Sequence, residues 1–167
     1  TVLQLIEILI LLAEKGIVHR DIRPANILVV KTVKEYEPRL IDFGWSMYYA
    51  QRDEVQTPKG LGHTYAFKGD GFCDAFSMGK CIQFLGRNLT FLNPIIDELL
   101  SIQVTDYDNS TALVQRYKLL KEQFQNSEVK KTKRDIMALW IKRYNVNRRV
   151  SKIIGKSGAK RFKKLLR

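Results

Sequence analysis

Cysteine and histidine are scarce: two of each in 167 residues. Cys73 and Cys81 stand eight positions apart in a stretch that reads as helix, too far to bridge, so both are expected to be reduced and packed. His19 and His63 have no paired Cys or His spacing around them, which argues against a zinc centre. Long apolar runs are also missing. The apolar start, Val2 to Ala13, carries Gln4 and Glu7 and falls short of the ~20 residues a bilayer demands. It has neither the basic leader nor the small-residue cleavage site of a signal peptide, so no transmembrane segment and a cytoplasmic chain are expected.

What is present fits an ordinary globular domain. At 45% hydrophobic and 28% charged residues, full-length disorder, collagen-like repeats and coiled coil are poor descriptions. A chain of this length can bury roughly 70% of the surface its unfolded form exposes. The net charge of +12 is unevenly placed. Residues 1–115 hold 11 basic and 14 acidic side chains, whereas residues 116–167 hold 18 and 3.

Gln4, Glu7, Leu11 and Glu14 recur at helical spacing and leave the rest of that segment apolar, the pattern of a mostly buried helix that Gly16 ends. Ile17 to His19 reads as a short extended piece, Ile27 to Lys31 as a buried strand and Arg39 to Ile41 as a second, with Thr32 to Pro38 connecting them. From Phe43 to Asp70 periodicity disappears and Gly44, Pro58, Gly60, Gly62 and Gly69 punctuate a long irregular segment. Helices are expected over Phe72 to Leu85, Pro94 to Ile102 and Thr111 to Phe124, the last with Leu113, Tyr117, Leu120 and Phe124 on one face. A further amphipathic helix is expected over Thr132 to Tyr144, on Ile136, Leu139, Trp140 and Tyr144.

The informative stretch is His19-Arg20-Asp21-Ile22-Arg23-Pro24-Ala25-Asn26, followed by Asp42-Phe43-Gly44 sixteen residues after Asn26. Phosphoryl transfer asks little covalent chemistry of a protein. It needs Mg²⁺ to hold the triphosphate and a carboxylate to orient the attacking hydroxyl and accept its proton. Mg²⁺ takes hard oxygen ligands, and one or two side chains plus phosphates suffice. Asn26 and Asp42 have the chemistry of those ligands, and Asp21 that of the carboxylate.

These residues match the pattern H-R-D-x-x-x-x-N and the D-F-G of the protein-kinase-like family, which the sequence resembles over about residues 1–125. The resemblance implies a mainly helical C-lobe with short β strands, of α+β class and lacking the N-lobe, followed by a basic C-terminal helical extension over residues 126–167. It implies Asp21 as catalytic base, with Asn26 and Asp42 holding Mg²⁺ and through it ATP. Arg23 stands where many members have a lysine that contacts the transferred phosphate, and an arginine fork is not equivalent to an ammonium. The acceptor is then a hydroxyl of a protein, serine or threonine before tyrosine, or of a small molecule. Asp74, opening Asp74-Ala75-Phe76-Ser77-Met78-Gly79, corresponds to the buried anchor that accepts backbone N–H bonds from the catalytic loop. Arg20 is positioned to pair with a phosphate on Ser46, Thr57 or Thr64. His19, Phe43 and Gly44 complete the motifs as structural residues, and His19 reads as a packing support for the loop before a ligand or base. Trp45, Tyr48 and Tyr49 read as loop packing before a recognition platform.

The departures are equally informative. The glycine-rich loop, the lysine on the third strand and the glutamate of the C-helix are not found, since the chain opens inside the helix before the catalytic loop. The expectation is a fragment of a larger kinase-like protein, or a chain that borrows its nucleotide-binding half. Tyr65-Ala66-Phe67-Lys68 stands near the expected place of A-P-E without its glutamate, and the partner arginine is replaced around Asp108-Asn109-Ser110. Such divergence leaves room for a non-enzymatic scaffold whose working part is the tail. Lys130, Lys131, Lys133 and Arg134, with the basic residues that continue to Arg167, favour a polyanion such as nucleic acid or anionic lipid, and a nuclear location with it. A solvated extension is the plainer alternative. Within the tail, Ile153 to Gly158 resembles the G-x-x-G loop of KH domains, although the remaining KH strands have no room.

Overall fold

The structure is a computed structural model that describes residues 2–33, 36–54, 67–68, 71–86 and 89–126. Ser46 falls within this set. Thr57, Thr64, the helix expected over Thr132 to Tyr144, the basic tail and the KH-like loop all lie outside it.

Helix α1 covers Val2–Glu14 and buries Val2, Leu5, Ile6, Leu9, Ile10, Leu12 and Ala13. Its outer stripe is not idle: Glu7 pairs with Lys121 at 2.7 Å and Glu14 with Lys118 at 3.1 Å. Those lysines belong to α4, Ser110–Asn126, which packs along α1. Leu113, Tyr117 and Leu120 are the buried face of α4, with Phe124 partly buried beside them, as the 3–4 residue spacing requires. Gly16 ends α1 with φ +64°, a left-handed value that costs glycine nothing and an L side chain about 1 kcal/mol or more.

Two further helices, α2 over Asp74–Leu85 and α3 over Asn93–Ser101, pack against each other and bring Met78, Cys81, Ile82, Ile95 and Leu99 into the same core. Their approach is close, because a Cβ at Gly79 would lie 3.1 Å from Leu99 Cβ. Pro94 sits in the first turn of α3, where its missing N–H is not needed. Asn109 caps α4, its Oδ1 accepting the N–H of Ala112 at 3.0 Å.

Among the described residues the β structure consists of three two-stranded antiparallel pieces: β1 (Ile17–Val18) with β4 (Met47–Tyr48), β2 (Ile27–Lys31) with β3 (Tyr36–Leu40), and β5 (Phe67–Lys68) with β6 (Gly71–Phe72). Three expectations are corrected here. The second strand begins at Tyr36 and stops at Leu40, and is not confined to 39–41. Tyr36, Glu37 and Pro38 join it by pairing with Lys31, Val30 and Val29. Pro38 is tolerated because a two-stranded sheet leaves each strand a free edge. Phe72 belongs to β6, so α2 starts two residues later, where Cys73 Sγ accepts the N–H of Phe76 at 3.4 Å. Within the irregular span from Phe43 to Asp70, the described part holds β4, β5 and two 3₁₀ turns, Phe43–Trp45 and Tyr49–Gln51.

Both cysteines are free and buried. Burial holds the Cys73 thiol up at about 11 and pushes that of Cys81 higher still, so both remain neutral at physiological pH. Among the described residues no helix is long and apolar enough to cross a membrane.

Candidate active site

The loop from His19 to Asn26 leaves β1, turns once in a 3₁₀ helix at Pro24–Asn26 and enters β2. Six of the residues singled out by sequence, His19, Arg20, Asp21, Arg23, Asn26 and Asp74, meet here. The organising group is the Asp74 carboxylate at the start of α2. Its Oδ2 accepts the backbone N–H of His19 at 2.6 Å and its Oδ1 that of Arg20 at 3.1 Å. Full burial pushes its pKa up to about 6, against the lowering effect of the two amides and of Arg20.

Arg20 needs such a clamp. It adopts φ 65°, in the left-handed region, without being glycine. Its Nε donates to the carbonyl of Trp45 at 2.5 Å and its guanidinium lies 5.3 Å from the centroid of the Phe72 ring. Asp42 shares the left-handed conformation with φ 66°, which aspartate tolerates better than most residues.

The His19 imidazole is wholly buried, and its two bonds define its tautomer. Nδ1 faces the N–H of Asp21 at 3.3 Å and must accept, so Nε2 carries the proton and donates to Ile41 O at 3.1 Å. Burial is the main cause that lowers the His19 pKa, opposed by the Ile41 carbonyl and by the charges of Asp21 and Asp42. The neutral ring packs edge-on against Phe43 with centroids 4.7 Å apart. His19 is thus a strut between the loop and the Asp42-Phe43-Gly44 turn.

Two opposing pH effects follow from these groups. The unfolded chain takes up a proton at His19 below pH ~6.5 before the folded chain does. Stability due to neutral His19 is therefore present above that pH and lost as pH falls. Asp74 works the other way: between the ordinary carboxylate value of 3.8 and about 6 the folded chain holds the extra proton, so its contribution declines as pH rises through that window. Urea unfolding at pH 5.5 and 7.5 should show His19→Gln losing less stability on acidification than the wild type, and Asp74→Asn losing more. Parallel pH profiles for all three would contradict these assignments.

Asn26 brings the loop and the turn together. Its Nδ2 donates to Asp21 Oδ2 at 2.6 Å and to Asp21 O at 2.9 Å, which fixes the orientation of the amide. Its carbonyl accepts the N–H of Ile41 at 2.9 Å, placing it beside the residue that precedes Asp42. Its Oδ1 is buried and makes no hydrogen bond. An orphaned carbonyl oxygen in a residue only 1% exposed costs about 1–3 kcal/mol unless a ligand uses it. Asp21 Oδ1 lies 3.3 Å from Arg23 Nε, and the Arg23 side chain as a whole is 42% exposed.

These donors suit a hard cation. No cluster of three or more His, Cys, Asp or Glu residues placed to hold a metal occurs among the described residues. An ion here would take Asn26 Oδ1 and the exposed Asp42 from the protein and its other ligands from phosphate and water, as Mg²⁺ with a nucleotide does. Gly44 imposes no steric demand, since a Cβ there would meet Asp42 Oδ1 at an ordinary 3.5 Å. Sequence reasoning did not anticipate the backbone carbonyls of Ile41 and Trp45 or the Phe72 ring, because a carbonyl contact leaves no mark on residue identity.

Residues 1–66 match the family described as protein kinase domain. Among curated proteins, a protein kinase and PP2C-like domain-containing protein of Oryza sativa subsp. japonica is 61% identical over 33 residues, which are 20% of this chain and 5% of that relative. No solved structure gives a significant match. The family match covers the loop of Asp21 and the turn of Asp42, so this part of the chain is similar to part of a protein kinase domain.

Proposed function

We propose that this chain supplies the catalytic-loop half of an ATP- and Mg²⁺-dependent phosphotransferase whose acceptor is a hydroxyl, serine or threonine before tyrosine. The observation that carries the reading is Asn26, whose Nδ2 holds Asp21 while its buried Oδ1 has no partner. Bound Mg²⁺ would neutralise the triphosphate and align it for in-line attack. Asn26 Oδ1 and Asp42 would hold the ion.

Asp21 is the base. Its Oδ2 accepts the Asn26 amide, and the carboxylate takes up the proton of the acceptor hydroxyl. Arg23 Nε, 3.3 Å from Asp21 Oδ1, orients the carboxylate, and its partly exposed guanidinium would pair with the transferred phosphate. His19 and Asp74 act by holding the loop in place.

The test is transfer of labelled γ-phosphate from Mg²⁺–ATP by the intact kinase domain that contains this segment. Label on serine or threonine of a protein acceptor is expected. Absence of any transfer to protein or small-molecule hydroxyls, with the domain folded and nucleotide present, would overturn the proposal.

A further inference from the structure

The contacts of the turn between α3 and α4 differ from what the motifs lead one to expect. The stretch where the family carries A-P-E ends here in Lys68, and its Nζ donates to Leu100 O and, at 2.6 Å, to Ile102 O. An ammonium on carbonyls at the end of a helix is favoured by the helix dipole, and it needs no carboxylate partner. Beside it, Gly71 lies against Val104 so closely that a Cβ would come within 2.8 Å of Val104 Cγ1. The next residue, Phe72, carries the Arg20 guanidinium on its ring.

A second connection reaches the same turn from the other flank. Tyr49 Oη donates to Val104 O at 3.1 Å, and its backbone N–H donates to Gly16 O at 2.7 Å, just before β1. Arg52 lies 4.4 Å over the Tyr49 ring and 3.0 Å from Asp108. A third connection is internal: buried Tyr107 accepts the N–H of Ala75 at 3.1 Å, adjacent to Asp74, and its ring is 5.4 Å from that of Tyr49. The single turn Leu100–Asp108 thus reaches three supports of the Asp21 loop: through Lys68 and Gly71, next to Phe72, through Tyr49 and β4–β1, and through Tyr107.

We infer that this turn is the buttress of the phosphoryl-transfer site, and that Lys68 and Tyr49 are positioning residues that set the Asp21 loop from a distance. The inference rests on the function proposed above. It assigns to an ammonium–carbonyl clasp and a tyrosine hydroxyl the anchoring that the missing glutamate would otherwise give. Neither residue touches the reacting atoms. Their effect should therefore fall on the chemical step and leave nucleotide binding alone, because a slight misplacement of a base is costly in rate.

Two measurements separate this inference from the functional proposal. In hydrogen exchange on the full 167-residue chain, Lys68→Met and Tyr49→Phe should each raise exchange at the amides of Arg20, Asp21 and Ile22 about tenfold, and Lys68→Arg should restore protection. In the intact domain the same two variants should lower kcat about tenfold with the KM for ATP unchanged. Faster exchange limited to residues 67–72 and 100–108, with Arg20 to Ile22 unaffected, would overturn the inference. So would a loss seen wholly in the KM for ATP. If the wild-type domain transfers no phosphate, the functional proposal fails, while the exchange result still decides whether the turn controls the loop.

Discussion

Replacing Asp74 by alanine should destabilise the chain by about 3 kcal/mol at pH 7. The carboxylate is buried and accepts two backbone N–H groups, from His19 and Arg20. Alanine leaves both donors inside the protein with nothing to bond. Orphaning a buried donor costs about 1–3 kcal/mol each. The loss of Asp74 also frees Arg20 from its left-handed φ, so the loop should relax toward the extended region and carry Asp21 with it. Asparagine at position 74 retains one good acceptor and should cost about half as much. Equilibrium urea unfolding reads the stability, and exchange of the His19 and Arg20 amides reads the loop. A loss below about 1 kcal/mol with both amides still protected would show that Asp74 is not the anchor.

Asp21→Asn in the intact domain should reduce turnover by about 10²–10⁴-fold while nucleotide affinity stays nearly constant. The substitution is conservative in shape: an asparagine oxygen can still accept the Asn26 Nδ2 bond that Asp21 Oδ2 now accepts. What disappears is the capacity to take up the hydroxyl proton and the charge that pairs with Arg23 at 3.3 Å. Loss confined to kcat marks a group that works in the transition state, whereas an equal loss in ATP binding would make Asp21 a nucleotide ligand. Unaffected turnover would remove it from the role of base.

Some of this architecture could be read from residue order alone, for physical reasons. Strand β2 spans Ile27–Lys31 as the run of β-branched and apolar residues predicts, but only Ile27 and Val29 are buried, Leu28 and Val30 being half-buried and Lys31 exposed, so the strand is not the fully buried one expected. The end of α1 is written in Gly16, and the face of α4 in Leu113, Tyr117 and Leu120.

Other features had no signature. The start of β3 was hidden by Tyr36, Glu37 and Pro38, which take strand geometry only because β2 offers them a ladder. Trp45 matters through its carbonyl, which any residue could supply. Lys68 reads as one more surface lysine until the carbonyls of Leu100 and Ile102 are known to face it. Arg116 is similar: it joins Glu98 at 2.5 Å, Asp106 at 3.2 Å and Ser101 at 2.6 Å, a network built from three separate segments. Tertiary proximity creates these partners, and local pattern cannot encode it.

The most direct measurement uses Mn²⁺ with a non-hydrolysable ATP analogue as a paramagnetic probe of the intact domain, read by NMR. If Asn26 Oδ1 and Asp42 share one ion, the Asn26 side-chain amide and the Asp42 backbone amide should broaden together at substoichiometric Mn²⁺, and Asn26→Ala should weaken binding of the ion. Broadening that spares both residues while the nucleotide is bound would contradict the site.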